Sequence, residues 1–204
     1  MFTREIRYKD DIFRREIEAR WAVFLDSIHV RYEYRPTGIL LSDGSVFHPE
    51  FWLPDFNCYF TVRSYLDCAT PAGREAERQI SDGCDTGAWA GLISFGEPRY
   101  MNLRIYCQET DDSGGGSYDA RVAFGWHPTE KRAFLISYED WRKRTFYDSF
   151  GDDMKVIPMV STENGTYNRD SFVTSGIRWA ADRADRVWFE HGEAIEPPYG
   201  YGRR

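Results

Sequence analysis

Two short apolar segments joined by a turn constrain this chain most, because each places a polar side chain at a defined point of a sheet. The first is the run Pro49-Glu50-Phe51-Trp52-Leu53-Pro54, whose prolines confine a strand to the residues between them. The second covers residues 58–63 and places Thr61 and Arg63 on one face, since strand residues two apart point the same way. We therefore expect two neighbouring strands, with Glu50 on the first able to meet Thr61 and Arg63.

The first 96 residues have the element order of a compact mixed α/β unit. Apolar residues recur at helical spacing over residues 11–28, where Asp10 or Asp11 is a suitable N-cap. Pro71 is suited to the first turn of a second helix, which is predicted to run through Ile80. Strands are predicted at residues 30–34, 39–41, 46–47, 51–53, 58–63 and 90–95, with an Asp-Gly turn between the second and third.

Residues 97–204 predict a β-rich extension that ends in a helix. Strands are expected at residues 100–107, 120–126 and 133–137, and the final helix at residues 168–187. We expect this extension to pack on a core formed by residues 1–96, so that the whole chain is one compact unit. The fold class is then α/β (α+β), with a central mixed sheet flanked by helices.

Composition restricts where the chain works and what it binds. The chain is 42% hydrophobic and 29% charged, with a net charge of −7. This acidic balance argues against strong nonspecific DNA binding, which relies on basic surface to release counterions. No apolar run approaches the roughly 18 residues of a membrane helix, and no signal peptide is evident, so we expect a cytoplasmic protein without a membrane partner.

The polar residues of the first segments suit metal-dependent phosphodiester hydrolysis only in part. That chemistry needs clustered carboxylates to hold Mg²⁺ and a cation to stabilise developing charge. Glu50 and Glu18, the latter on the predicted first helix, can supply carboxylates and Arg63 the cation. Thr61 offers only a neutral hydroxyl. We expect no small-molecule cofactor, and Mg²⁺ only if the site is active.

Three motifs in this region resemble a PD-(D/E)XK nuclease-like family found in actinobacteria and their phages. Residues 13–26 are similar to its opening helix, R-S-x-x-E-A-R-W-A-x-F-F. Residues 32–36, Tyr-Glu-Tyr-Arg-Pro, are similar to its Y-x-Y-E-P strand, and residues 49–54 to its P-D-F-W-L-P strand. A fainter likeness covers residues 184–193. The resemblance implies a restriction-endonuclease-like core over residues 1–96.

The resemblance also assigns roles to individual residues. Glu18 would be the helix acid near the metal and Glu50 the first metal ligand, while Thr61 and Arg63 stand where the family has its second acid and catalytic lysine. Glu50 is one methylene longer than aspartate, Thr61 cannot replace a carboxylate, and Arg63 cannot deprotonate. We therefore expect a degenerate catalytic site, free of metal and held by salt bridges.

Three functions follow from these residues. The first is a nuclease-fold protein that has lost hydrolysis and binds nucleic acid or a protein. The second is an active Mg²⁺-dependent DNA endonuclease with an atypical site that uses Glu18, Glu50 and a migrated acid such as Asp67. The third is an acidic phage-type protein that binds and inhibits a host protein. Arg14, Arg15 and Arg20 are the candidate nucleic-acid-binding residues, and a free basic strip formed with Arg31 and Arg63 would support DNA.

Overall fold

Three helices and fifteen strands make up the part of the chain that the computed structural model describes. The described residues are 5–86, 90–98, 103–109, 116–127, 132–137, 145–147, 156–158, 175–190 and 193–195. The helices are α1 (Glu16–Ser27), α2 (Pro71–Thr86) and α3 (Ser175–Arg186). In chain order the strands are β1 (Ile6–Tyr8), β2 (Asp11–Phe13), β3 (Glu33–Tyr34), β4 (Ile39–Leu40), β5 (Val46–Phe47), β6 (Phe51–Leu53), β7 (Cys58–Arg63), β8 (Ala90–Phe95), β9 (Leu103–Glu109), β10 (Gly116–His127), β11 (Arg132–Ser137), β12 (Thr145–Tyr147), β13 (Val156–Pro158), β14 (Trp188–Glu190) and β15 (Glu193–Ile195).

A nine-stranded mixed sheet forms the centre of the fold. Its order is β13-β12-β11-β10-β9-β8-β7-β6-β3. Strands β7 and β8 pair in parallel, and every other neighbouring pair is antiparallel. The sheet continues from β8 to β9 across the division proposed at residue 96, so the first and second parts of the chain share one set of hydrogen bonds.

Helices pack on both faces of this sheet, which makes the described chain a mixed α/β protein, as predicted. Alternation along β7 turns Phe60 and Val62 towards α1, where they join one large buried cluster. Ile93 on β8 belongs to the opposite face and packs with Ile80 of α2. The largest fully buried side chains include Trp21, Phe24, Phe51, Phe60 and Phe124, which explains why the aromatic-rich sequence supports so large a core.

Helix α3 packs against α1, and the last strands pair with the first strands of the chain. Arg20 of α1 donates to the backbone carbonyls of Ala184 and Asp185 at the end of α3, and so caps that helix. Arg183 of α3 donates in return to the Ser27 hydroxyl of α1. Strand β15 then pairs in parallel with β1, and β14-β15-β1-β2 form a separate four-stranded sheet.

The structure corrects several predicted boundaries. The helix predicted over residues 11–28 covers only Glu16–Ser27, and Arg15 is its N-cap rather than Asp10 or Asp11. Residues Asp11–Phe13 instead form β2, which pairs with β1 through a turn where Lys9 has a φ of 54°. Phe13 is buried as a residue of β2, so its helical spacing from Ile17 was misleading.

Other boundaries differ less. Only Glu33–Tyr34 of the strand predicted at 30–34 pairs with a neighbour, and α2 extends through Thr86 rather than ending near residue 80. The final helix begins at Ser175, and residues 168–174 of its predicted range lie outside the described residues. Strands β4 and β5 pair around the predicted Asp-Gly turn. In the part of the chain that the structure describes, no helix has both the length and the apolar character needed to span a bilayer.

Candidate functional site

Glu50, which immediately precedes β6, is the centre of a compact network of ion pairs. Its Oε1 accepts hydrogen bonds from Arg63 Nη1 at 2.7 Å and from Arg15 Nη2 at 3.0 Å. Its Oε2 accepts the backbone N–H of Val62 at 3.0 Å. The predicted meeting of Glu50 and Arg63 is therefore confirmed, and Arg15 joins them from the start of α1.

Glu18 forms the second acidic member of the network. One of its oxygens accepts a hydrogen bond from Arg15 Nε, and the other accepts the Tyr34 hydroxyl at 2.7 Å and the Arg14 backbone N–H at 3.2 Å. Only 2% of the residue is exposed. A carboxylate this buried needs such donors, because an unpaired charge in the interior costs several kcal/mol.

Arg15 connects the two acids. Its Nε contacts Glu18 while its Nη2 contacts Glu50 and also donates to the Val62 carbonyl at 2.8 Å. The planar guanidinium presents several donors in a fixed fork, and this geometry allows one side chain to serve three acceptors. Arg15 thus serves one oxygen of each acid, and the donors described above serve the other. Every carboxylate oxygen of Glu18 and Glu50 therefore accepts at least one hydrogen bond from the chain itself.

The network forms at this position because β6 begins too late in the chain to pair with the last residues of β7. Strand β6 begins at Phe51, which pairs with Phe60, so Val62 lies beyond the end of the ladder. Pro49, which would come next, has no N–H to donate. The side chain of Glu50 accepts the Val62 N–H, while Arg15 and Arg63 donate to its carbonyl. Side chains thus replace the missing strand.

Tyr34 supports the network from β3. Its ring lies 4.3 Å from that of Phe13 and 5.6 Å from that of Phe51, measured between centroids. Burial raises the pKa of the Tyr34 phenol, and the hydrogen bond that it donates to Glu18 raises this pKa further. The hydroxyl therefore stays protonated at physiological pH and remains a donor to Glu18.

Thr61 is not among the hydrogen-bonded members of this network. The residue is fully buried, and its Oγ1 has no hydrogen-bond partner among the described residues. It lies beside Ile93 in the parallel register of β7 and β8, which turns its side chain towards the face covered by α2. The position that the resemblance gives to a second acid is therefore closely packed.

The predicted basic strip is largely neutralised by acids of the same chain. Arg15 and Arg63 contact Glu50 as described, and Arg20 pairs with Glu16 at 2.8 Å. Arg31 pairs with Asp55 through two hydrogen bonds from its guanidinium. Arg14, by contrast, is exposed, and its backbone rather than its side chain donates to Glu18.

The site's donor set does not suit a divalent cation. Mg²⁺ requires free oxygen ligands in octahedral geometry, whereas the oxygens of Glu18 and Glu50 already accept hydrogen bonds from two guanidiniums, a phenol and two backbone N–H groups. Asp67, the candidate migrated acid, accepts the Ser64 N–H within its own turn. The described residues contain no group of three or more His, Cys, Asp or Glu side chains arranged to hold a metal ion.

Two members of the network carry roles that the sequence did not reveal. Arg15 was interpreted as a nucleic-acid contact or, with Arg14, as one of two alternative partners of Glu18 on the helix, and Tyr34 only as part of a strand motif. The spacing of Arg15 and Glu18, three apart at the start of a helix, was a usable signal, since such pairs face each other.

Comparison with protein-family models finds no match, and comparison with curated proteins finds none either.

Proposed function

We propose that this protein has a restriction-endonuclease-like core that has lost hydrolysis and acts by binding a partner macromolecule. The observation that carries the proposal is the Arg15 guanidinium between Glu18 and Glu50. In a hydrolytic site of this kind the two acids would be ligands of Mg²⁺. Here a cation of the chain itself compensates their charge, so the acids serve structure rather than catalysis.

The element order supports the proposed core. The elements follow one another in the order that the resemblance implies. Helix α1 comes first, followed by β3 with Tyr34, β6 with the Phe-Trp-Leu run, and β7 with Thr61 and Arg63. Strands β3, β6 and β7 are neighbours in the sheet. Arg15, at the N-terminus of α1, contacts Glu50 immediately before β6. The three motifs that carry the resemblance thus converge on one place.

The state of the arginines favours a protein partner over DNA. Phosphate binding needs guanidiniums that are free to replace counterions. Arg15, Arg20, Arg31 and Arg63 each pair with a carboxylate of the same chain, and the net charge is −7. An acidic protein that binds and inhibits another protein, of the phage type named above, fits this charge distribution. Arg14 remains the strongest candidate for a DNA contact.

A plasmid-nicking assay tests the loss of hydrolysis. The purified protein is incubated with supercoiled DNA in Mg²⁺ or Mn²⁺, alongside Glu50→Gln as a matched variant. We expect no cleavage by either protein. Nicking by the parent that Glu50→Gln abolishes would overturn the proposal and favour the active endonuclease with an atypical site.

A mobility-shift titration with duplex DNA at two salt concentrations tests the choice of partner. We expect no salt-dependent binding, because the arginines are already paired. Binding that weakens with salt and that Arg14→Ala reduces would instead make nucleic acid the partner, since each phosphate contact contributes to the salt dependence. Arg31→Ala, whose side chain pairs with Asp55, is the control.

A further inference from the structure

Two exposed apolar pairs lie at different points along α2. The turn patch consists of Tyr65 and Leu66, which are 68% and 82% exposed. The hairpin patch consists of Leu40 and Val46, which are 67% and 52% exposed and lie directly opposite each other on β4 and β5. Single exposed apolar residues are common on proteins, whereas paired large side chains on ordered elements indicate a contact surface.

The turn patch is held in place by its own hydrogen bonds. Ser64 Oγ accepts the Leu66 N–H, and the Asp67 carboxylate accepts the Ser64 N–H, which together form a capping box. Gly73 of α2 lets this turn lie directly on the helix, because a Cβ there would come within 1.9 Å of the Asp67 carbonyl oxygen. Tyr65 and Leu66 are thus presented on a rigid support.

The hairpin patch is also held against α2, at a point further along that helix. Leu41 and Phe47 are buried in the same cluster as Ile80 of α2. The Ser42 N–H donates to the Asp82 carboxylate at 2.9 Å. These contacts fix the inner side of the hairpin against the helix and leave Leu40 and Val46 on its outer side.

The segments that carry the two patches contain few charged residues of their own, in a chain whose net charge is −7. Residues 64–72 contain one charged residue, Asp67, which is engaged within the turn. Residues 38–47 also contain one, Asp43, which pairs with Arg78 at 3.3 Å. Two copies of an acidic protein repel each other least where such sparsely charged segments meet.

We propose that two copies of this chain associate about a two-fold axis, with the turn patch of each on the hairpin patch of the other. Such an interface is self-complementary, as a two-fold contact requires. Between the points where α2 supports the two patches, its exposed residues include Glu75 and Arg78, which pair with each other at 2.8 Å within one copy. Antiparallel α2 helices would bring the Glu75–Arg78 pair of one copy close to that of the other, so that each acid gains a second base.

Sedimentation equilibrium over about 1 to 200 µM tests this association directly. We expect a reversible dimer for the parent protein. Leu66→Lys in the turn patch and Val46→Glu in the hairpin patch should each raise the dissociation constant at least about tenfold, since a buried unpaired charge weakens an interface strongly. Ile12→Lys, at a 47% exposed apolar residue on β2, is the matched control and should leave the dimer unchanged.

Mixing the two variants tests the geometry. A heterodimer of Leu66→Lys with Val46→Glu has one unaltered contact and one lysine–glutamate contact, so the mixture should associate more tightly than either variant alone. Far-UV circular dichroism establishes that the variants are folded. A parent that stays monomeric at 200 µM would overturn the proposal and favour a different protein as the partner that binds the patches. Dimerisation that neither patch variant weakens, or that mixing does not restore, would overturn the proposed contact.

Discussion

The carboxylate of Glu50 accepts the backbone N–H of Val62 at 3.0 Å, at the point where strand β6 no longer runs beside β7. This bond gives the acid a structural task that is independent of catalysis, because a buried N–H without an acceptor is costly. Arg15 and Arg63 complete the arrangement by donating to the carbonyl of the same residue. Stability is therefore the first property that changes at these positions should alter.

Arg15→Leu should lower the free energy of unfolding by about 3 kcal/mol, because it leaves Glu18 and Glu50 with less compensating charge in a mostly buried place. The estimate sits at the low end of the range for buried pairs, since 38% of the Arg15 side chain is exposed. Urea denaturation at pH 7 measures it. Arg14→Leu, at the exposed neighbouring residue, should change stability by less than about 0.5 kcal/mol. Equal effects of the two variants would contradict a bridging role.

Thr61→Val should be neutral or slightly stabilising. Its Oγ1 is buried without a hydrogen-bond partner among the described residues, so removing the hydroxyl removes a desolvated polar group at nearly constant shape. Thermal unfolding of the two proteins makes the comparison. A loss of more than about 1 kcal/mol would mean that the hydroxyl has a partner that this packing does not reveal.

Thr61→Glu should destabilise the protein by several kcal/mol, because it introduces a carboxylate at a fully buried position beside Ile93. Chemical denaturation provides the measurement, and Arg63→Lys, at a partly exposed residue of the same strand, serves as a milder comparison. A well-folded Thr61→Glu protein that gains Mn²⁺ affinity in calorimetry would show that this position still opens onto a metal site.

Tyr34→Phe should reduce stability at pH 8 by about 1.5 kcal/mol, since the phenol donates a hydrogen bond to a charged group. Its folded-state pKa is raised above the ordinary value near 10, so its contribution is complete below pH 10 and decreases as the pH rises further. The parent should therefore lose stability above pH 10 more steeply than the variant. Urea titrations at pH 8 and pH 11 test this, and parallel pH profiles would contradict it.

Gly73→Ala should cost about 1–3 kcal/mol, because the new Cβ would meet the Asp67 carbonyl oxygen and push the turn away from α2. Gly44→Ala is a useful contrast. Nothing lies within 4 Å of that position, and the cost there comes only from its φ of +81°. Differential scanning calorimetry compares both variants. If Gly73→Ala were the milder change, the close approach of the turn to the helix would be wrong.

The sequence predicted the elements that local patterns determine. Strand Phe51–Leu53 is where its flanking prolines placed it, Cys58–Arg63 where alternation did, and Ala90–Phe95 where a continuous apolar run did. Glu50 does meet Arg63. These features depend on residues close together in the chain. The same patterns misplaced the start of α1, because the pairing of Asp11–Phe13 with β1 overrides their helical spacing.

What the sequence did not predict depends on contacts between distant residues. The contact of Arg15 with Glu50 joins residues 35 apart in the chain, so helical spacing indicated only a pairing with Glu18. Pro49 limits where β6 begins, but it does not indicate that β7 continues past that point to Val62. Similarly, the tight packing of Thr61 follows from Ile93 and α2 rather than from its own neighbours in the chain. The sequence showed which residues are charged, whereas the pairing of charges that lie far apart in the chain required the fold.

The parallel pairing of β15 with β1 has a consequence for synthesis of the chain. Arg7 pairs with Glu193, so one side of β1 has no strand beside it until synthesis has passed residue 193. At a translation rate of roughly 5–20 residues per second, the nascent N-terminal hairpin waits about 10–40 s for its partner. During that interval its open edge can pair with other nascent chains.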